Sequence, residues 1–381
     1  MVHPANEFMP HEVACAAGKI CYNPNTAIVE GQMGTQSATN NSSRVLYAPN
    51  FKKQGYGFAG WSDAYDYENN PNANIYGPQE TITAPSDVQT NGISLYAVWI
   101  KSAGNLQDSS KVALICSNLV QSGTNVTRTT DSVSALTDQR DGNTYAIAKL
   151  ADGKCWMIEN LRLDDSAILS SSNTHNPALP LTNIYDSNTT SNHLSPTSSI
   201  AYDATTAPEG WCNDGSSACI DQSRLRTDNT TLFSNNTLST QTQNIYSYGN
   251  YYDWYSATAG KGNYNTTSSN VDGDICPLGW RLPTGGNNGE LKILNTAING
   301  GSTNADTGLR VYPANFVYAG LVSGYALSDR SSSGHYWSST ASSPSYKQNS
   351  LILYFRSSYT YAGTTDGSKF RGYSVRCIAG T

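Results

Sequence analysis

The sequence predicts a β-rich α+β fold with few short helices, divided into a small N-terminal part and a larger C-terminal one. Three observations carry this expectation. Apolar residues come in short alternating runs, such as Leu95–Trp99 and Leu351–Phe355, cut by Gly, Pro, Asn and Asp-Gly turn signals. Only 14% of residues are charged and 38% hydrophobic, while 25 Tyr and 7 Trp supply large bodies around which small cores form. Eight cysteines are scattered along the chain without any C-x-x-C pair, which favours disulfides over a zinc ribbon or a thioredoxin-type motif.

The same composition narrows the partners. A net charge of −6 leaves no basic footprint for nucleic acid or an anionic membrane surface. No apolar run reaches the length that spans a bilayer. An oxidising, extracellular setting is expected, at a cell surface or after secretion; buried free thiols in a cytosolic chain are the competing reading. Residues 1–10 lack the apolar core of a signal peptide, so export implies a mature or trimmed form. Sequence does not determine cysteine connectivity; the expected pairs are Cys15–Cys21, Cys116–Cys155, Cys212–Cys219 and Cys276–Cys377. The last brackets the second half of the C-terminal part and would close its ends together.

The elements follow in order. Residues 1–14 carry no periodicity and read as a leader or linker. In 15–100, Tyr56, Phe58 and, after a break at Gly60, Trp61 have near-alternating spacing, and Leu95, Ala97 and Trp99 alternate with Tyr96 and Val98. Residues 101–111, small and polar, suit a linker to a domain spanning 112–381. Lys111–Cys116 is a strand-sized apolar run. Asp141-Gly142-Asn143 and Asp152-Gly153 are hairpin signals, the first before Tyr145–Leu150 and the second before Cys155–Ile158. Residues 165–245 read as a loop insertion, Ser/Thr/Asn-rich over 173–240. Tyr251–Ala257 suits a short helix. Glu290–Ile298, after Pro283-Thr284, predicts a capped amphipathic helix with Leu291, Ile293, Leu294 and Ile298 inward. Val375 and Cys377 belong to a last strand.

Two stretches carry resemblances. Gly55–Trp61 (GYGFAGW), Tyr76–Thr83 (YGPQETIT) and Leu95–Trp99 (LYAVW) stand in the order of the Listeria–Bacteroides, or internalin-type B, repeat. That resemblance, over about eighty residues, implies a small β-grasp-like unit used as a spacer on surface proteins. Leu136–Leu163, Gly249–Ala257, Asp274–Thr284, Tyr336–Thr340 and Gly372–Cys377 together resemble the Fibrobacter succinogenes major paralogous domain. That family is similar to the formylglycine-generating-enzyme branch of C-type-lectin-like folds. The pairing of the two resembles surface proteins of Saccharibacteria-like bacteria. Trp156, Trp280 and Trp337 recur in the motifs and are expected in the core.

Catalytic patterns are weak. Formylglycine-generating enzymes use a close pair of reactive cysteines, whereas Cys276 and Cys377 stand where this family places structural ones; fold kinship transfers no activity. His3, His11, His175, His193 and His335 form no H-E-x-x-H, and no G-x-S-x-G occurs. Gly285–Gly289 before a helix lacks the Lys-Ser/Thr of a phosphate loop. Asp164-Asp165 and Asp272/Asp274 stand in turns; calcium there is the alternative to a plain turn, and no other cofactor is expected.

Recognition is the stronger expectation. Residues 325–372 are dominated by Ser and Tyr with scattered Arg, Asp, His and Lys around an apolar frame, a composition like that of antibody paratopes. The stretch resembles the variable region of diversity-generating retroelement proteins, in which adenine mutagenesis converts Asn codons to these residue types. Its candidate contact residues are Arg330, Ser331, Ser332, Ser333, His335, Ser343, Tyr346, Arg356, Ser358, Tyr359, Tyr361, Asp366, Lys369 and Arg371. The expected partner is a protein or glycan on another cell. A stalk or pilus-like structural component is the alternative, and a formylglycine-generating-enzyme-like oxidoreductase the second.

Overall fold

The computed structural model describes residues 12–26, 29, 33–122, 129–163, 167–177, 184–185, 246–262, 266–300, 307–323, 326–369 and 371–380. The N-terminal unit contains β1 (Lys19–Asn23), β2 (Gln36–Ser37), β3 (Ser43–Val45), β4 (Tyr56–Ser62), β5 (Ile75–Tyr76), β6 (Thr81–Thr83), α1 (Val88–Asn91) and β7 (Ile93–Lys101). Its sheet runs β2-β1-β7-β4-β5, with β1 and β7 parallel, while β3 and β6 form a separate pair. The break expected at Gly60 is a bulge: Phe58 faces Trp99 and Gly60 faces Val98, which leaves Ala59 as the extra residue. The bulge lets Phe58 and Trp61 enter the same core, where both pack edge-on with Leu95, Ala97 and Trp99 nearby.

The C-terminal unit begins with α2 (Ser109–Asn118), β8 (Val133–Thr137), β9 (Thr144–Lys149) and β10 (Cys155–Met157). Then come β11 (Ile184–Tyr185), β12 (Tyr251–Tyr252), α3 (Trp254–Ala257), β13 (Trp280–Arg281), α4 (Glu290–Asn299) and α5 (Thr307–Arg310). It ends with β14 (Leu321–Ser323), β15 (Ala326–Ser328), β16 (Ser333–Ala341), β17 (Asn349–Arg356), β18 (Tyr359–Ser368) and β19 (Ile378–Ala379). One sheet has the order β13-β19-β10-β9-β8, and a second has the order β16-β17-β18. The expected hairpin turns join β8 to β9 and β9 to β10, with Gly142 and Gly153 at positive φ. Among the described residues every tryptophan donates its indole N–H to an oxygen: Trp61 to Tyr47, Trp99 to Pro24, Trp156 to Asp152, Trp254 to Ser338, Trp280 to Leu106 and Trp337 to Tyr252. Burying these rings therefore leaves no donor stranded.

Three disulfides form as expected, Cys15–Cys21, Cys116–Cys155 and Cys276–Cys377; Cys212 and Cys219 lie outside the described residues. No described helix is long and apolar enough to cross a membrane. Two expectations about these elements change. Lys111–Cys116 is helical, because Asp108 caps α2 by accepting from the Lys111 amide and Leu114 points to solvent. Ile293 is exposed, because the buried stripe of α4 runs through Leu291, Leu294 and half-buried Ile298, and Ile293 falls outside that spacing. The capping oxygen for α4 comes from Thr284, whose hydroxyl accepts from the Glu290 amide.

The stretch read as a linker is packed. Ala103 and Leu106 donate backbone bonds to Ala135 and Thr137, and Leu106 is fully buried. Of the expected leader, Val13 donates to the Tyr96 hydroxyl. Of the expected insertion, Asn173 and Thr174 are buried and β11 pairs with β12. The two units share a core in which Ala59 and Val98 meet Ala146, Ala148 and Leu150. The bulge's own polar groups are satisfied across the junction. The Phe58 amide donates to Glu159, and the Ala59 carbonyl accepts from Asn315. A Cβ at Gly57 would collide with the Ala146 backbone, so glycine is what lets the two sheets touch there.

Candidate binding face

The β16-β17-β18 sheet carries six of the fourteen candidate residues: Ser333, His335, Arg356, Tyr359, Tyr361 and Asp366. Period-2 alternation sends Tyr336, Leu353 and Phe355 inward, into the core with Phe316, and His335, Tyr354, Arg356 and Tyr361 to the opposite side. His335 stands opposite Tyr354, and Tyr354 opposite Tyr361. Their rings continue a row that rises from the core. Trp337 and Tyr373 lie 4.4 Å apart, Tyr373 and His335 5.2 Å, and His335 and Tyr354 4.5 Å. At the surface Tyr354, Tyr359 and Tyr361 all contact one another, the hydroxyls of Tyr354 and Tyr359 are 2.9 Å apart, and Tyr361 is 45% exposed. The Arg356 guanidinium lies over both Tyr354 and Tyr359.

Beneath this surface three polar atoms are shut off from solvent without a hydrogen-bond partner: Ser333 Oγ, His335 Nδ1 and Arg356 Nε. Burial first, and then the charges of Arg371 and Arg356, pushes the His335 imidazolium down to about 4, against a hydrogen bond with the Gly320 backbone. Burial also leads the rise of the Tyr354 hydroxyl to about 12.

The candidates do not form one patch. Ser358 and Tyr361 are exposed near the Arg356 end of β17, beside half-buried Arg356 and Tyr359, while exposed Arg371 follows β18 and its amide donates to the Ser368 carbonyl. Ser343, Tyr346 and Asp366 are exposed toward the Asn349 end, where Ser342 donates to Asp366. The eight residues of β17 separate the two groups by roughly 24 Å at ~3.4 Å per residue. Arg330, Ser331 and Ser332 belong to the turn before β16, with Ser332 exposed and the other two half-buried. Arg330 stacks over Tyr248 and Tyr251 and donates to the Tyr251 hydroxyl.

Three candidates are corrected by their burial. Ser333 and Lys369 have no exposed surface, and His335 retains 6%. Ser333 and His335 lie under the turn and the tyrosine layer, and Lys369 reaches the Thr266 carbonyl over the Trp254 ring. Burial alone lowers the Lys369 ammonium to about 7. Tyr354, absent from the candidates, is central to the row; its parity opposite to Leu353 and Phe355 is the signal that would have found it.

A second concavity, a cleft of about 750 Å³, is lined by Lys154, His175, Asp274, Trp280, Arg281 and Glu290 among others. Of its three acids, Asp272 is exposed, and Asp274 and Glu290 are engaged in holding the fold. Asp274 accepts from the Cys276 and Leu282 amides, and desolvation raises it to about 6. Burial disfavours ionised Glu290, but bonds from Arg281 and Lys154 outweigh that and hold it down at about 2. Of the calcium alternatives, Asp164-Asp165 lies outside the described residues. Among the described residues no three His, Cys, Asp or Glu side chains converge as a metal set. Compared with protein-family models, with curated proteins and with solved structures, the chain matches none.

Proposed function

We propose that this chain is an extracellular recognition protein of a bacterial surface, binding a protein or glycan ligand through the tyrosine and arginine face at the Arg356 end of β17. The observation that carries the reading is the exposed meeting of Tyr354, Tyr359 and Tyr361 with Arg356 laid across them, on a sheet whose other side is core. Such rings offer broad contact area at low entropic cost, and the guanidinium supplies directional donors. The three disulfides support an oxidising compartment. The parallel pairing of first and last strands supports the β-grasp-like reading of the N-terminal unit. The return of β19 between β10 and β13 supports a C-type-lectin-like reading of the rest. In this reading the chain works by binding and not by catalysis, and residues 325–372 are a retroelement-diversified region. An adenine-rich template repeat and a reverse transcriptase beside the coding DNA are the expected genomic signs.

The test is binding of the purified chain to a glycan array and a panel of bacterial and host cells, beside an Arg356→Ala/Tyr359→Ala/Tyr361→Ala variant. Loss of binding in a still-folded variant supports the face. Equal binding by both, or none by either, overturns it.

A further inference from the structure

We infer that Gln79 of the N-terminal unit is a positioning residue for the turn that presents Arg330, Ser331 and Ser332, so that this unit is a working part of the face and not a spacer. The functional meaning rests on the binding reading; the positioning stands on contacts alone.

The turn before β16 needs support. Asp329 and Ser331 both hold positive φ, near 60°, a region that side chains other than glycine rarely enter. Backbone bonds from Ser332 and Ser333 to the Asp329 carbonyl close the turn on itself. Arg330 ties it to Tyr251 and the Ser333 carbonyl ties it to the Gly320 amide; two further ties run through Ser331. Its amide donates to the Tyr318 carbonyl at 2.9 Å, and its hydroxyl meets the Tyr248 hydroxyl at 3.2 Å.

Both of those partners are held by one side chain. Gln79, fully buried, accepts from the Tyr318 amide through Oε1 at 2.5 Å and donates from Nε2 to the Tyr248 hydroxyl at 3.0 Å. The Tyr318 amide is only a donor, so it dictates which end of the Gln79 amide faces it and leaves Nε2 for Tyr248. Tyr248, accepting from Gln79, shares a second hydrogen bond with the Ser331 hydroxyl, in which either oxygen can donate. The chain of bonds links Gln79 through Tyr248 to Ser331. Tyr248 also shelves the Arg330 guanidinium, at 5.1 Å from its ring. Gln79 is itself clamped, since its carbonyl accepts from Arg310, which lies over the Tyr318 ring. Glycine at 77 permits this approach, because a Cβ there would collide with the Arg310 carbonyl.

The experiment is amide hydrogen exchange by mass spectrometry on the full chain and on Gln79→Met and Gln79→Glu. Methionine keeps the volume and removes both bonds. Glutamate keeps the shape but offers Tyr248 no donor, so the tyrosine proton turns to the carboxylate. Exchange over Asp329–Ser333 is expected to rise about tenfold in Gln79→Met, as expected when a buried hydrogen-bond link is lost. Peptides of β8, β9 and β17 should stay within about twofold. Tyr248→Phe, which removes only the hydroxyl, should loosen the same turn to a smaller extent. Unchanged exchange at the turn, or a rise shared equally by all peptides, overturns the inference. Loosening confined to the turn in a chain that binds nothing on the array overturns the binding reading alone.

Discussion

The two sides of the β16-β17-β18 sheet are one residue apart in sequence and follow different rules. On the inner side Tyr336, Leu353 and Phe355 are buried among Phe316, Tyr318 and the α4 leucines. The Tyr336 hydroxyl exchanges bonds with both backbone groups of Val317 and accepts a third from Asn160. On the outer side His335 Nδ1 and Arg356 Nε have no partner, and three tyrosines lean on one another at the surface. A buried polar atom left unmet costs roughly 1–3 kcal/mol. The outer side therefore tolerates an expense in stability that the inner side avoids.

The comparison breaks most visibly at Phe355. Its ring is fully buried and packs against Phe316, Tyr318 and Tyr336. Phe355→Ala should lower unfolding free energy by about 3–5 kcal/mol, through lost transfer energy and the cavity left behind. Chemical denaturation measures this directly. A loss below about 1 kcal/mol would mean that the sheet draws its stability from elsewhere.

How much of this was legible in sequence depends on how far each contact reaches. Alternation of Leu351, Leu353 and Phe355 marks the inner parity of β17 without help, and by elimination marks Tyr354 and Arg356 as outer. The bulge near Gly60, both hairpins and the Cys15–Cys21 pair were also local, whereas Cys116–Cys155 and Cys276–Cys377 join residues 39 and 101 positions apart. The burial of Ser333, His335 and Lys369 was not legible, because composition sees a polar stretch and not the rings that fold over it. Lys369 is covered by Trp254 and held by Thr266, more than a hundred residues away. Gln79 lies within a recognisable motif, but its partner Tyr248 is 169 positions on. No periodicity reports such a pairing. The packed 101–111 segment misled for a related reason. Its small polar residues look solvated, yet their backbone is paired with β8.

Acid should sharpen the contrast next. His335 faces Arg356 from β17 and Arg371 from the segment after β18, between the rings of Tyr354 and Tyr373. Folded, it takes a proton only at about 4; unfolded, at its ordinary 6.5. Between these values the unfolded chain binds a proton that the folded chain refuses, so this contribution is full above pH 6.5 and falls as pH drops toward 4. Asp274 runs the other way. Raised to about 6 from 3.8, it retains a proton in the folded chain, and its contribution falls as pH rises across that window. The two overlap, so the wild-type profile alone is nearly flat in these terms. His335→Gln removes one of them. The stability of wild type relative to the variant should fall by about 3 kcal/mol between pH 7 and pH 4. Parallel denaturation midpoints across that range would show that His335 titrates as if exposed.

The smallest effect on stability should accompany the largest effect on recognition. Tyr361 is half exposed and touches only neighbouring tyrosines of the outer row. Tyr361→Ala should cost within about 1 kcal/mol in unfolding free energy, since little buried area is lost. Binding of any ligand found on the array should weaken at least tenfold, as expected for an aromatic anchor near the centre of a contact. Tyr346→Ala is the matched control, removing a tyrosine of similar exposure from the far end of the sheet. If Tyr346→Ala weakens binding as much as Tyr361→Ala, the ligand spans both ends. If it alone weakens binding, recognition belongs at the Asn349 end, and the ring row serves to hold β17 and β18 together.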